Sequence, residues 1–249
     1  MPELLIASNK EKLWHKMRRD LLGFVPEIAG NRLLMCCACG RFLPYDCFDV
    51  EHLIPRQALR HDPANVRVNP ATPANIRSGN LLLCRMRLRI KGNTIYGNGC
   101  NSWKGRFYDH HIAEMTRAFD RTTPTDTHII AALSLAYLAM VAEFGYVVAL
   151  MRSGLLMREQ FFRPYSFHRD LPLRSQILFG GRMLDVGDHQ MWNKPFGFGF
   201  DRPGACTVVA RNFVVMVPIS HDPRQPIVKH LKIVPSKYKL RPNFGTVFD

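Results

Sequence analysis

Negative charge is what this 249-residue chain has least of: 20 Asp and Glu stand against 34 Lys and Arg, a formal net charge of +14 with a sequence pI near 9.8. The basic excess runs through both halves, which excludes an acidic regulatory domain and points to a polyanionic partner. Low hydrophobicity is also missing, since hydrophobic residues are 47% and charged residues 22%, and this excludes a disordered or collagen-like chain. No internal repeat or heptad run is present. The short apolar start, Met1 to Ile6, is followed by Lys10, Lys12, Lys16, Arg18 and Arg19, an order opposite to that of a secretory signal. A reducing, cytoplasmic setting is therefore expected, and with it metal ligation by the seven Cys instead of disulfides.

One apolar stretch, Ile129 to Met151, is long enough to span a bilayer. Glu143 interrupts it, and Ala131, Ala132, Ser134, Ala136, Ala139 and Ala142 recur along it, so a buried helix packed through small residues is expected and membrane association is the weaker reading. Around it the chain divides near residue 120. Leu13, Trp14, Met17, Leu21 and Leu22 give Glu11 to Leu22 a helical stripe, and a further helix is expected from about His111 to Phe119. Thr125 or Asp126 offers an N-cap for the apolar helix after a linker at 121–127. Beyond Pro164 the pattern turns to short strands: Ala205 to Ile219, with the buried run Phe213 to Val217, and Ile227 to Val234, with a Gly- and Pro-rich loop at Lys194 to Gly204. The predicted class is α+β, with residues 1–120 as one domain and 121–249 as a second, helical plus β, serving recognition, regulation or oligomerisation.

The chemistry concentrates between Cys36 and Asp109. Cys36 and Cys39 form a Cys-x-x-Cys knuckle followed by Gly40, a spacing at which two thiolates grip one tetrahedral zinc. Cys84 and Cys100 are enough to complete a four-thiolate site, Cys37 is an alternative to Cys36, and Cys47 is spare. Between the pairs, Asp49-Val50-Glu51-His52 reads as a strand that brings a carboxylate and an imidazole to a polar–apolar boundary. Asn80 precedes Leu81-Leu82-Leu83-Cys84, and Cys100 opens Cys-Asn-Ser-Trp-Lys-Gly. Arg85, Arg87, Arg89 and Lys91 alternate, followed by Lys104 and Arg106 with no acid between; cations at every second position line one face of an extended strand and can track phosphates. Gly92, Gly97 and Gly99 allow a hairpin tip near Asn93 to Asn98. His110 and His111 read as ordinary helix-start residues.

Taken together, the Cys36/Cys39 knuckle, Glu51-His52 with Pro55, Asn80 ahead of Leu-Cys, and Cys100-Asn101 with Lys104-Gly105 resemble the HNH nuclease family over roughly residues 30–110. The resemblance implies an N-terminal ββα-metal module around a structural zinc, ahead of the apolar helix and the short strands. It also implies metal-dependent phosphodiester hydrolysis, most often of duplex DNA. On that pattern His52 is the general base, a role suited to a neutral imidazole. Glu51 and Asn101 hold a catalytic Mg²⁺ or Mn²⁺, and Asn80 orients His52. Three departures accompany the likeness: Glu51 where Asp is commoner, Asn101 where the family's namesake His stands, and fifteen residues between Cys84 and Cys100 where two are usual. Asp49 is an alternative first carboxylate. A zinc-dependent nucleic-acid-binding protein without catalysis is the rival expectation, and a homo-oligomer or partner protein is expected to engage the second half.

Overall fold

The computed structural model describes residues 8–60, 77–86, 88–90, 93–95, 99–118, 123–162, 177–181, 194–200 and 204–219. Helix α1 (Asn9–Leu22) starts where the Ser8 hydroxyl accepts the Glu11 N–H at 3.2 Å, the N-cap bond that satisfies an otherwise orphan donor. Its predicted stripe buries Trp14, Met17 and Leu21. Strands β1 (Leu33–Met35) and β2 (Phe42–Pro44) pair around the Cys36–Gly40 turn. Strand β3 (Phe48–His52) pairs antiparallel with β4 (Asn80–Cys84), with His52 opposite Asn80, Glu51 opposite Leu81 and Phe48 opposite Cys84. A short helix α2 (Arg56–Leu59) follows β3.

The long insertion after Cys84 is a hairpin. Strands β5 (Leu88–Ile90) and β6 (Asn93–Ile95) pair with Ile90 opposite Asn93. Strand β6 thus occupies Asn93–Ile95, the start of the stretch expected to be the tip. The chain then enters α3 (Gly99–Phe107) and α4 (Asp109–Ala118).

Helix α5 (Asp126–Phe144) is apolar all round and buried nearly throughout, as a helix without a polar face must be. It is long and apolar enough to cross a membrane, yet 78% of its most apolar window is buried inside the fold. The expected single run to Met151 is divided at Gly145 (φ +83°), after which α6 (Tyr146–Leu150) and α7 (Arg152–Phe162) follow. Glycine is required there, since a Cβ would fall 2.2 Å from the Asp20 carboxylate. The C-terminal sheet is four-stranded and antiparallel, in the order β7-β10-β9-β8, from β7 (Leu178–Gly181), β8 (Gly197–Gly199), β9 (Ala205–Ala210) and β10 (Phe213–Pro218). The strand β8 lies inside the stretch expected to be a loop, where Phe198 pairs against Val208. The strand expected at Ile227 to Val234 lies outside the described residues.

One apolar core runs from Trp14 and Leu34 through Leu82 and Leu138 to Val217, so both halves share it. The β9–β10 turn reaches back to the first half. Buried Arg211 donates to the carbonyls of Lys194 (2.8 Å) and Arg77 (3.0 Å), and Asn212 donates to the Thr116 carbonyl at 2.8 Å.

Candidate metal centre and adjoining acid–imidazole site

Of the four cysteines singled out by spacing, Cys36, Cys39 and Cys100 come together as one cluster, and Cys84 lies at its edge. After Cys39 the chain turns through Gly40 at φ +75°, with Gly40 N–H donating to the Cys36 carbonyl at 2.7 Å and Cys36 N–H to the Arg41 carbonyl at 2.8 Å. This tight turn aims both thiols inward. Cys36 Sγ lies 3.7 Å from Cys100 Sγ, close to the ~3.8 Å edge of a tetrahedron with metal–sulfur bonds near 2.3 Å. The ligand atoms of Cys36, Cys39 and Cys100 all lie within 4.8 Å of one another, and this trio can hold a metal ion. Cys84 adjoins it through contacts to Cys39 and Cys100. Gly99 sits against the Cys84 carbonyl, so thiols with fifteen residues between them become neighbours across the β5–β6 hairpin. Cys37 is outside this trio: its carbonyl accepts the Tyr137 hydroxyl at 2.6 Å, and burial pushes its thiol up to about 12. Cys36 is therefore the member of that pair that meets Cys100.

Several donors converge on these sulfurs. Arg41 reaches Cys39 Sγ at 3.4 Å and Cys84 Sγ at 3.1 Å, Cys84 N–H points at Cys36 Sγ, and Met86 N–H lies 3.2 Å from Cys84 Sγ. Burial works to raise the Cys39 pKa, but hydrogen bonds from the neighbouring thiols and Arg41 outweigh it and hold that thiol well below its ordinary value. Cys36 and Cys100 are instead held above their ordinary value, chiefly by burial, so Cys39, beside the guanidinium, is the thiol of the cluster readiest to meet a cation as thiolate.

Beside this cluster, β3 and α3 are joined by one buried cation. Lys104, only 1% exposed, places Nζ 2.7 Å from Glu51 Oε1, 2.6 Å from Asp109 Oδ1 and 3.2 Å from the His52 carbonyl. Lys104 thus stands apart from the phosphate-facing set in which its charge suggested it, because two carboxylates draw it inward. Asn101 lies three residues earlier in α3, on the same helical face. His52 and Asn80 occupy opposed positions and so share one face of the hairpin, with Glu51 and Asp49 on the other. Asn80 is held by the Ser78 hydroxyl at 3.3 Å from its side-chain oxygen. Burial raises the Glu51 pKa against the opposing pull of Lys104. Burial, together with the positive charges of Arg56 and Lys104, lowers that of His52. The imidazole is accordingly neutral at neutral pH.

Of the basic run, Arg85 and Arg106 are exposed. Arg89 lies on β5 (Leu88–Ile90), and Arg87 and Lys91 lie outside the described residues. Arg106 stands 5.4 Å from the half-exposed Phe107 ring, itself packed 4.2 Å from Trp103.

Three groups lie outside the residues that the motifs single out: Asp109 as the second anchor of Lys104, Arg41 as a donor to two thiols, and a second cluster that can hold a metal, His111, Glu114 and His128. The His111/Glu114 spacing of i, i+3 was a readable helical signal; its meeting with His128 depends on how α4 packs on α5. No protein-family model, no curated protein and no solved structure matches the chain.

Proposed function

We propose that this protein is a metal-dependent endonuclease of the HNN type within the HNH class, hydrolysing phosphodiester bonds in double-stranded DNA. The observation that carries the reading is the Lys104 ammonium, which ties Glu51 and the His52 backbone to the helix bearing Cys100 and Asn101. With it, the paired strands β3 and β4 and the helix α3, separated along the chain by α2 and by the β5–β6 hairpin, carry the acid, the imidazole and the amide. Zinc is the cation suited to Cys36, Cys39, Cys84 and Cys100, in a structural role. Glu51 and Asn101 offer oxygen donors that suit Mg²⁺ or Mn²⁺. Two carboxylates around one ammonium leave a net charge of about −1, and since Lys104 engages Oε1 of Glu51, a cation here would be held through Oε2. Such an ion supplies Lewis-acid neutralisation of a scissile phosphate.

His52, kept neutral by burial and by Arg56 and Lys104, takes the proton of the attacking water. Asn80 acts as a positioning residue on the same hairpin face. Arg85 and Arg106 are exposed cations for the phosphate backbone, and the adjacent Phe107 offers a ring for stacking. The second half steadies the approach to Asn80 through Arg211 on the Arg77 carbonyl and braces α4 through Asn212 on the Thr116 carbonyl, and its sheet is left for recognition, a partner protein or a second copy.

The test is plasmid cleavage with Mg²⁺ or Mn²⁺ by the wild-type protein and His52→Ala. Loss of cleavage in the variant with retained DNA binding supports the reading, and equal cleavage removes His52 from the mechanism. One observation favours a second reading, a zinc-dependent DNA-binding protein without catalysis: Glu51 is already neutralised by Lys104. Retention of DNA without cutting in any of Mg²⁺, Mn²⁺ and Ni²⁺ would select it.

A further inference from the structure

We propose that His111, Glu114 and His128 form a second metal site, for an imidazole-preferring divalent cation of the zinc class, that clips α4 to α5. The site is separate from the thiol cluster and from Glu51 and His52, and it does not rest on the nuclease reading. Glu114 Oε2 lies 3.3 Å from His111 Nδ1 and 3.2 Å from His128 Nε2. A charge-assisted imidazole–carboxylate hydrogen bond contracts to ~2.7–2.9 Å. The observed spacings instead match the ~3.3 Å edge of a tetrahedron with bonds of 2.0–2.1 Å. All three ligand atoms lie within 4.8 Å of one another.

The donor set is chemically selective. Two imidazoles and one carboxylate suit zinc, copper or nickel, whereas Mg²⁺ and Ca²⁺ prefer oxygen alone. Burial is graded across the site, with the His128 side chain 9% exposed, His111 27% and Glu114 35%. The solvent side leaves room for water as the fourth ligand, the pattern of a three-ligand zinc site.

An outer partner is in place. Thr125 Oγ1 lies 2.8 Å from His128 Nδ1, so a cation on Nε2 leaves the ring proton on Nδ1, where the Thr125 hydroxyl oxygen accepts it. This gives up the Thr125 N–H···Nδ1 capping bond of 3.2 Å for a bond of the opposite polarity, Nδ1–H to Oγ1. His110 Nε2 stands 3.2 Å from the other Glu114 oxygen, Oε1, and so orients the carboxylate from its far side. Because α4 begins at Asp109, the clip anchors the same helix whose first residue holds Lys104.

The experiment counts metal. Protein as purified is saturated with Zn²⁺, freed of excess by gel filtration, and analysed for zinc per chain alongside Glu114→Ala and His111→Ala. Each variant is expected to hold one equivalent fewer than wild type, with unchanged thiolate-to-cobalt absorption when Co²⁺ replaces zinc. Cobalt ligand-field bands lacking thiolate character should vanish in both variants. Equal zinc content in wild type and variants would overturn the proposal, as would a loss accompanied by disappearance of the thiolate absorption. Plasmid cleavage is not read, so failure of the nuclease assignment leaves this result intact.

Discussion

Lys104 and Glu51 form a buried ion pair at 2.7 Å, and Asp109 closes on the same ammonium at 2.6 Å. Breaking such a pair from one side leaves an uncompensated buried charge. Lys104→Met should therefore lose about 3–5 kcal/mol in urea unfolding, and adding Glu51→Gln should recover part of that loss. A loss under about 1 kcal/mol, typical of surface pairs, would contradict the buried assignment.

The same pair sets a pH dependence. Burial works to lower the Lys104 pKa, but Glu51 and Asp109 outweigh it and hold it above the ordinary 10.5. The folded value exceeds the unfolded one, so the contribution is fully present below pH 10.5 and is lost as pH rises through the folded value. The stability gap between wild type and Lys104→Met should thus shrink in strong alkali, where the ammonium is lost, and also in acid, where protonation of the stranded Glu51 relieves the variant, as read by denaturant midpoints across pH.

His52 should govern the acid limb of cleavage. Burial, then Arg56 and Lys104, hold it below 6.5, so the neutral base persists into mildly acidic solution and the rate falls only beneath that value. Arg56→Gln removes one opposing charge and should move the midpoint to higher pH. A midpoint that stays in place, or moves down, would separate Arg56 from the titrating group.

Arg41 donates to Cys39 and Cys84 and bonds the Met86 carbonyl at 3.1 Å. Outer-shell donors of this kind change metal affinity by roughly 10–100-fold. Arg41→Leu should release metal to a chromogenic chelator at correspondingly lower chelator concentration, with thiol reactivity rising in step. Release indistinguishable from wild type would mean that the guanidinium contributes only to packing.

Gly99 stands at φ +79°, where a Cβ would fall 2.4 Å from the Cys84 carbonyl oxygen. Left-handed backbone costs a non-glycine residue roughly 1–2 kcal/mol, and the backbone clash adds to it. Gly99→Ala should lose more than about 2 kcal/mol by these two costs together and retain less metal. Gly30→Ala, with nothing within 4 Å, is the control and should change the melting temperature little.

Local patterns carried the readable part of the fold. The stripe of Trp14, Met17 and Leu21, the cap at Thr125 and the Val-rich run at Phe213 are each written within a few residues. The Cys-x-x-Cys turn also needs only its own backbone and Gly40. Pairing across distance was harder to read. That Cys84 meets Cys100 depends on a hairpin folding out of the way, and that Lys104 is buried depends on two carboxylates on other segments. Counted as a charge in a basic run, Lys104 looked solvent-facing, since nothing local distinguishes it from Arg106. The order β7-β10-β9-β8 and the partnership of His111 with His128 are likewise set by packing.

Two tyrosine hydroxyls from the apolar helices, Tyr137 on the Cys37 carbonyl and Tyr146 on the Met35 carbonyl, bolt the thiol-bearing turn to the chain's second half. The boundary that the sequence suggests near residue 120 is therefore a poor place to cut. A fragment ending there would keep every thiol of the metal cluster but lose the braces that hold its first turn, and would expose the apolar face on which α5 lies. Any minimal unit worth isolating extends at least through Phe162, which makes the helices part of the metal centre's scaffold and not an appendage to it.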